Sequence, residues 1–140
     1  MTDNQWTWTT EVRLPSAHGA GHHLLAELNH ALKQHNWTDH EIFGIRLSME
    51  EGLANAIRHG NASDHRKEVY VACKLNSRRL LVEITDEGEG FDPKCVPDCT
   101  ADENLRRESG RGIMLMRNYM SRVEYLGGGH RLVMEKTRPT

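Results

Sequence analysis

Residues 49–61 read MEEGLANAIRHGN, and the interpretation of the whole chain depends on this stretch. Glu51 and Asn55 lie four residues apart, so in a helix their side chains project from the same face. Apolar residues recur at helical spacing, and their stripe points away from that pair. They are Ile42, Ile45, Met49, Leu53 and Ala56. One face is predicted to pack a core, while the other presents a carboxylate and a carboxamide that can hold a metal-bound polyphosphate. Taken alone, the stretch fits a solvated polar face ending at a His59-Gly60 C-cap better.

The composition of the chain is that of a soluble globular domain. The sequence has 140 residues, of which 37% are hydrophobic and 27% charged, enough for one domain with a real core. A formal net charge of -2 gives no electrostatic case for nucleic acid or an anionic membrane. We find no signal peptide and no apolar run that could cross a bilayer. Three cysteines, an odd number, argue against a disulfide framework and favour a cytoplasmic location.

Hydrophobic periodicity predicts a mixed α/β fold. In chain order, the predicted elements are a strand over 7–14, a helix over 22–34, a helix from an N-cap at Thr38 or Asp39 to Gly60, strands over 69–75 and 78–85, an irregular segment over 94–109, a helix within 110–123, and strands over 123–126 and 131–137. This order lacks the strict βαβ alternation of a doubly wound sheet. It predicts a two-layer α/β sandwich, with helices packed on one face of a mixed, mostly antiparallel sheet.

The second informative stretch is DEGEGFDP at residues 86–93. Asp86 falls at the end of a predicted strand, and Gly88 and Gly90 follow it. Glycines allow a sharp turn and the close approach of a flat ligand. A carboxylate at a strand end can accept a hydrogen bond from an exocyclic amine such as that of adenine. An ordinary glycine-rich turn explains this stretch equally well on its own.

The third stretch is SGRGI at residues 109–113, where the irregular segment gives way to a helix. Backbone N–H groups at a helix N-terminus favour an anion, and Gly110 and Gly112 would let phosphate oxygens reach them. Arg111 could add a charge-assisted contact. A flexible hinge into the helix is the alternative interpretation. The stretch is neither a P-loop nor a dinucleotide-binding fingerprint, because neither glycine pattern occurs.

The three stretches in this order resemble the Bergerat-type (GHKL) ATP-binding fold of gyrase-like ATPases and histidine kinases, and within it the anti-sigma-factor serine/threonine kinases. EGLANAIRHGN resembles the family's N box, and DEGEGFDP resembles its first glycine box. SGRGIMLMRNYMSRVEY resembles the second glycine box with the helix that follows. The resemblance covers about residues 47–125. It implies a single histidine-kinase-like ATP-binding domain over residues 1–140, with an ATP lid at about 93–109.

The resemblance also implies a role for each matching residue, with ATP and Mg²⁺ as ligands. Glu51 would be the general base that takes the proton of the attacking hydroxyl, and Asn55 would be a ligand of the magnesium ion that bridges the phosphates. Asp86 would bind the adenine amino group. The other nucleotide-binding residues that it implies are Gly88, Gly90, Gly110, Arg111, Gly112, Ile113 and His59. For His59, packing or capping is an equal alternative.

Two positions depart from the family pattern. The family commonly has a basic residue in the lid just ahead of the glycine pair, where this chain has Glu108. Arg106, Arg107 or Arg111 would have to contact the γ-phosphate instead. The threonine often found early in the last strand is also absent, and His130 stands near that position. Both departures bear on the rate of phosphoryl transfer more than on nucleotide binding.

The function implied by the resemblance is that of an ATP-dependent anti-sigma factor and serine/threonine kinase. Its partners would be an anti-anti-sigma protein of the STAS type, which it phosphorylates, and a sigma factor or similar regulator, which it sequesters. The resemblance also implies a homodimer, with no direct contact to nucleic acid or membrane. A non-catalytic ATP-binding module that switches partners is the main alternative. The catalytic domain of a histidine kinase is a weaker one, because it would need a separate helical domain that carries the phosphoacceptor histidine.

Overall fold

The computed structural model describes residues 5–17, 19–88, 112–127 and 130–139. The helices are α1 (His22–Gln34), α2 (Asp39–Asn55) and α3 (112–119), and a π-helical turn, Ala56–Gly60, continues α2. The strands are β1 (Trp8–Pro15), β2 (Glu68–Leu75), β3 (Arg79–Thr85), β4 (Arg122–Leu126) and β5 (Arg131–Thr137). No helix within these ranges is long and apolar enough to cross a lipid bilayer.

The five strands form one sheet in the order β1-β2-β3-β5-β4. All four pairings between these strands are antiparallel, so the mostly antiparallel sheet predicted from the sequence is confirmed. The register sets Val71 opposite Ile84, and Ile84 opposite Leu132, across the three central strands. Pro15 is the last residue of β1 rather than a residue beyond it. An edge strand tolerates proline there because one side of its backbone needs no ladder partner.

The helices pack on one face of the sheet, as the sequence predicts for a two-layer sandwich. Alternate residues of β2 and β3 are fully buried beneath them, while the residues between are partly exposed on the opposite face. The buried strand residues are Val69, Val71, Cys73, Leu75, Leu80, Val82 and Ile84. Gly52 of α2 lies so close to the sheet that a Cβ there would stand 2.9 Å from Ile84 and from Leu132. This close approach brings the last turn of α2 to the end of β3 and the start of β5.

The start of α2 is fixed by a capping box at Thr38, one of the two N-caps that the sequence predicts. The Thr38 hydroxyl accepts a hydrogen bond from the backbone N–H of Glu41 at 3.1 Å. In return, the Glu41 carboxylate accepts one from the backbone N–H of Thr38 at 2.8 Å. Two orphan donors of the first turn are thereby satisfied. This capping box fixes the register of α2, and so the direction in which its functional face points.

The end of α2 differs from a regular helix. The sequence predicts one helix to Gly60, but the last turn widens into a π-helical turn over Ala56–Gly60. The backbone N–H of Asn61 donates to the carbonyl of Ala56 at 2.8 Å, which closes this wider turn. Single π turns of this kind occur often at functional sites. The wider turn brings Gly60 and Asn61 up to the end of β3.

Candidate functional site

The first and third sequence stretches meet at the side chains of Glu51 and Asn55 on α2. Asn55 is 8% exposed, and Glu51 is half-buried one turn earlier. The first residue of α3, Gly112, lies against both side chains. A Cβ at Gly112 would stand 2.7 Å from Oε2 of Glu51 and 3.5 Å from Nδ2 of Asn55. The absence of a side chain at Gly112 therefore leaves room for the carboxylate and the carboxamide beside a helix N-terminus.

The second stretch meets the end of the same helix. The carboxylate of Asp86, just after β3, packs directly against the Cα of Gly60. The backbone of Gly88 packs against the carbonyl of Gly60 in the same way. Oδ1 of Asp86 accepts a hydrogen bond from the Gly88 N–H at 2.8 Å, and the Asp86 N–H donates to the carbonyl of His130 at 3.0 Å. Gly60 and Gly88 thus allow the residues that follow β3 to pack directly on the π-helical turn.

Burial dominates the electrostatics of Asp86. Its side chain is 9% exposed, and burial raises the pKa of the carboxyl group above its ordinary value. The hydrogen bond from Gly88 and the nearby side chains of His130 and Lys67 oppose that rise. A buried carboxyl that keeps acceptor capacity is suited to bind an N–H donor of a ligand. The position of Asp86 therefore fits the recognition of an amino group.

A small cavity lies between α2 and the sheet and reaches Asp86. Its lining combines small or apolar walls with a few convergent polar groups, which is the usual character of a ligand site. The apolar walls are Gly52, Ala56, Ile84 and Leu132, and the polar groups belong to Asn55, Asp86, Tyr125 and His130. Four elements and the β3 exit contribute to this lining. The cavity has a volume of about 10 Å³, room for about one water molecule, so its chemistry suits an amino group at its mouth rather than a whole ring inside it.

Tyr125 is a further residue of the site, which the sequence motifs do not indicate. This residue lies on β4 opposite Leu132, and its side chain faces the helices. Burial raises the pKa of the Tyr125 phenol, a hydrogen bond with the Asn55 side chain opposes that rise, and the carboxylates of Asp86 and Glu51 add to it. Tyr125 is therefore close to the side chains from both ends of the site. The apolar alternation of β4 could have indicated this inward position, but not the contact with Asn55.

The remaining predicted site residues lie in different surroundings or outside the described residues. His59 is half-buried on the π-helical turn. Ile113 is 5% exposed and belongs to the hydrophobic core. Gly90, Gly110, Arg111 and the predicted lid at about 93–109 lie outside the described residues.

A larger groove lies on the other side of α2, between that helix and α1. Glu51 belongs to its lining, together with charged and polar side chains of both helices. These include Asn29, Arg46, Glu50 and Arg58. Glu51 therefore lies where the region of Asn55 and Gly112 meets this groove.

The chain is similar to known ATPase domains in sequence and in fold. Residues 14–136 match the family described as the histidine kinase-like ATPase domain. The chain is 33% identical over 92 residues to an anti-sigma F factor of Shouchella clausii, which covers 64% of this chain and 62% of that protein. It is 29% identical over 103 residues to an anti-sigma F factor of Clostridium acetobutylicum, covering 69% and 70%.

A solved structure gives the same fold. The crystal structure of the RsbU and RsbW domains of Rv1364c from Mycobacterium tuberculosis superimposes with a TM-score of 0.63 at 17% identity. The match covers 94% of this chain and 32% of the other. The Bergerat-type fold predicted from the three sequence stretches is therefore confirmed. The match to the Shouchella clausii relative spans less than two thirds of that protein's length.

Proposed function

The chain belongs to the family of histidine kinase-like ATPase domains, and from that premise we propose that it is an ATP-dependent anti-sigma factor and serine/threonine kinase. The observation that carries this proposal is the meeting of three separate sequence stretches around α2. Gly112 lies against Glu51 and Asn55, and Gly60 lies against Asp86. In this proposal, Asp86 and Gly60 belong to a purine end and Glu51, Asn55 and Gly112 to a phosphate end, both along α2 and its π-helical turn.

The purine end of the proposed site is the cavity at Asp86. The adenine ring would lie at the mouth of this cavity, against apolar side chains of α2 and the sheet, with its amino group donating to the Asp86 carboxylate. Gly88 supports this carboxylate through its N–H at 2.8 Å. A guanine or hypoxanthine ring has a carbonyl oxygen at the same position, which would face the carboxylate unfavourably. The site is therefore proposed to select adenine.

The phosphate end is proposed at Glu51, Asn55 and the first turn of α3. The side-chain oxygen of Asn55 is a hard ligand of the kind Mg²⁺ accepts, and a magnesium ion there would neutralise charge on the phosphates. Backbone N–H groups at the start of a helix favour an anion, and Gly112, the first residue of α3, adds no side chain to block it. Gly110, Arg111 and a lid over residues 93–109 would complete this end. Glu51 would accept the proton of the attacking hydroxyl. The hydroxyl oxygen would then bond to the γ-phosphorus as ADP leaves.

The acceptor hydroxyl is proposed to approach Glu51 from the groove between α1 and α2. That groove reaches Glu51 from the side opposite the purine cavity. A protein substrate lying there could present a serine or threonine to the base without entering the nucleotide site. By analogy with the anti-sigma F factors it resembles, the substrate would be a small anti-anti-sigma protein of the STAS type, and the sequestered partner a sigma factor. A homodimer is part of the same proposal.

The test is phosphate transfer with purified protein. Wild type, Glu51→Ala and Asn55→Ala are incubated with labelled Mg-ATP and candidate anti-anti-sigma proteins, and the label on the acceptor is measured beside ATP affinity. We expect transfer by wild type, loss of transfer with ATP binding retained in Glu51→Ala, and weaker Mg-ATP binding in Asn55→Ala. Transfer unchanged in Glu51→Ala would refute the assignment of the base. ATP and partner binding without any transfer by wild type would instead identify a non-catalytic partner-switching module.

A further inference from the structure

Asn61 is a polar residue without any exposed surface. It follows the π-helical turn, and its relative exposure is 0%. Its Oδ1 accepts a hydrogen bond from the backbone N–H of Glu87 at 2.7 Å. Its Nδ2 donates to Oγ of Ser16 at 2.5 Å and to the backbone carbonyl of Glu68 at 3.0 Å. Both ends of this buried carboxamide have hydrogen-bond partners within the protein, so Asn61 does not depend on water to satisfy its polar atoms.

The partners of Asn61 come from three different parts of the sheet. Ser16 follows β1, Glu68 begins β2 and Glu87 follows β3. The backbone N–H of Asn61 itself closes the π-helical turn on Ala56 at 2.8 Å. One residue therefore connects the end of α2 to the ends of three strands. This connection lies beside the cavity at Asp86.

Backbone chemistry fixes the orientation of the Asn61 carboxamide. Oδ1 faces an N–H donor at Glu87, and Nδ2 faces a carbonyl acceptor at Glu68. Rotating the amide by half a turn would place two donors together at Glu87 and two acceptors together at Glu68. Neither backbone group can change its role, so only the observed orientation satisfies both. The position of the Glu87 N–H is thus tied to a rigid, fully buried group.

Asn61 constrains Asp86 in two ways, through the residue that follows Asp86 and through the residue that precedes Asn61. Glu87, which Asn61 binds, directly follows Asp86 in the chain. Gly60, which directly precedes Asn61, packs against the Asp86 carboxylate. A shift of Asn61 would move the peptide after Asp86 and the surface on which its carboxylate rests. Because a hydrogen bond weakens steeply with distance and angle, such a shift would impair recognition of an amino group.

We propose that Asn61 is a positioning residue for base selectivity: its carboxamide holds the Asp86 turn where the carboxylate can accept from the adenine amino group. This inference rests on the proposed function, because it takes adenine to be the base in the cavity. Asn61 touches no ligand in this account. It acts only through the Asp86-Glu87 peptide and through Gly60.

The test compares ATP with ITP, which carries a carbonyl oxygen in place of the amino group. Dissociation constants with Mg²⁺ are measured by calorimetry for wild type and Asn61→Ala. Both nucleotides share the triphosphate, and unfolding competes equally with both. The ratio of the two constants is therefore insensitive to lost stability and reports on the base site alone. Wild type is expected to prefer ATP by about 10- to 100-fold, and Asn61→Ala to lose about tenfold of that preference or more.

Two buried serines provide matched controls. Ser16→Ala removes one partner of the Asn61 carboxamide but keeps the bond to Glu87 at 2.7 Å. Ser48→Ala removes a buried hydroxyl that donates to the Gly44 carbonyl at 2.9 Å, on another part of α2. Both controls are expected to lose stability and to keep the wild-type preference for ATP. Asn61→Ser, which places a smaller polar group, a hydroxyl, in the buried position, is measured as well in case Asn61→Ala does not fold.

The outcomes separate this inference from the proposed function. A preference that falls in the Asn61 variants and stays in both serine controls supports the positioning role. A preference that stays in the Asn61 variants, or falls equally in Ser48→Ala, overturns it while leaving adenine recognition at Asp86 intact. A wild type that binds ATP and ITP equally, or binds neither, overturns the proposed base site and this inference with it.

Discussion

Gly60 packs its Cα directly against the carboxylate of Asp86, where the π-helical turn meets the end of β3. A Cβ at this position would overlap both carboxylate oxygens. Two segments that are distant in the chain therefore approach more closely here than any residue with a side chain allows. The contact joins the helix of the proposed phosphate end to the proposed purine end. A change at Gly60 would therefore affect both the packing of the two segments and the proposed contact of Asp86 with adenine.

We predict that Gly60→Ala weakens ATP binding by about tenfold or more, because the Asp86 carboxylate must move away from the new methyl group. Stability should fall by about 1–3 kcal/mol from overpacking, although alanine is the better helix former. Calorimetry and denaturant unfolding measure the two effects. Gly44→Ala is the matched control, since its Cβ would overlap the ring of Tyr119 instead. It should lose stability but keep ATP affinity. Equal ATP affinity in Gly60→Ala and wild type would contradict the prediction.

We predict that Gly112→Ala slows phosphoryl transfer with little change in stability. The new Cβ would stand 2.7 Å from Oε2 of Glu51, which is the free end of a flexible side chain and can move at little cost. Displacing a general base lowers the rate by about tenfold or more, while the free energy of unfolding should stay within about 0.5 kcal/mol of wild type. Transfer assays and denaturant unfolding check both expectations. Met114→Ala, a change at a residue 66% exposed on the same helix, should affect neither quantity. Undiminished transfer by Gly112→Ala would mean that Glu51 tolerates displacement.

Local patterns were sufficient to predict most of the fold. The helix over 22–34 agrees with α1, and each of the five strands agrees to within one residue. The N-cap at Thr38 is confirmed by its capping box with Glu41. Each of these features depends on residues close together in sequence, namely on apolar periodicity and on one side chain that binds its own backbone. The resemblance of three short motifs then supplied the fold family.

Long-range packing could not be predicted in the same way. Nothing in the local sequence indicates that Asn61 is buried, yet it is fully buried and binds Ser16, which lies 45 residues earlier. The π-helical turn places Gly60 against Asp86, and nothing in the local sequence specifies that partner. Tyr125 reaches Asn55 only because β4 is the strand paired with β5. These features follow from the assembled sheet, and periodicity within a single element does not contain them.

Arg138, which follows β5, binds residues at the start of α2 and lies away from the proposed site. Its guanidinium donates to Glu41 at 3.2 Å, to the Ser77 carbonyl at 3.1 Å and to the Asn36 carbonyl at 3.1 Å. It also lies 5.1 Å from the centre of the Trp37 ring. We expect Arg138→Ala to cost about 2–3 kcal/mol of unfolding free energy, because it leaves a largely buried carboxylate and two carbonyls without this donor.

Denaturant unfolding measures this loss, and two further variants identify its origin. Arg138→Lys should recover less than half of it, because an ammonium group cannot reproduce the planar fork. Arg66→Ala removes an ion pair with Asp64 from a side chain that is 90% exposed, and should cost much less stability than Arg138→Ala. ATP affinity should be unchanged in all three variants. Full stability of Arg138→Lys would show that charge alone, rather than the fork geometry, stabilises this region.

The last prediction uses the raised pKa of Asp86. A carboxyl whose folded pKa lies above its ordinary value of 3.8 stabilises the fold below that value, and this contribution is lost as the pH rises through the folded pKa. Asp86→Asn should therefore match or exceed wild-type stability at pH 7 without ligand, and the difference should vanish towards pH 3.8. ATP affinity should fall about 10- to 100-fold, because an amide NH₂ cannot accept from adenine. Denaturant midpoints across this pH range, with ATP titration at pH 7, test both expectations.

Asp64→Asn serves as a control of opposite sign. Hydrogen bonds from Arg66 lower the pKa of Asp64 to about 2, so its contribution is present at neutral pH and is lost as the pH falls. This variant should be no more stable than wild type at pH 7, and its ATP affinity should not change. A loss of stability at pH 7 in Asp86→Asn would show that the ionised carboxylate stabilises the empty site. In that case the hydrogen bond from Gly88 outweighs the cost of burial, and Asp86 is a structural residue as much as a binding one.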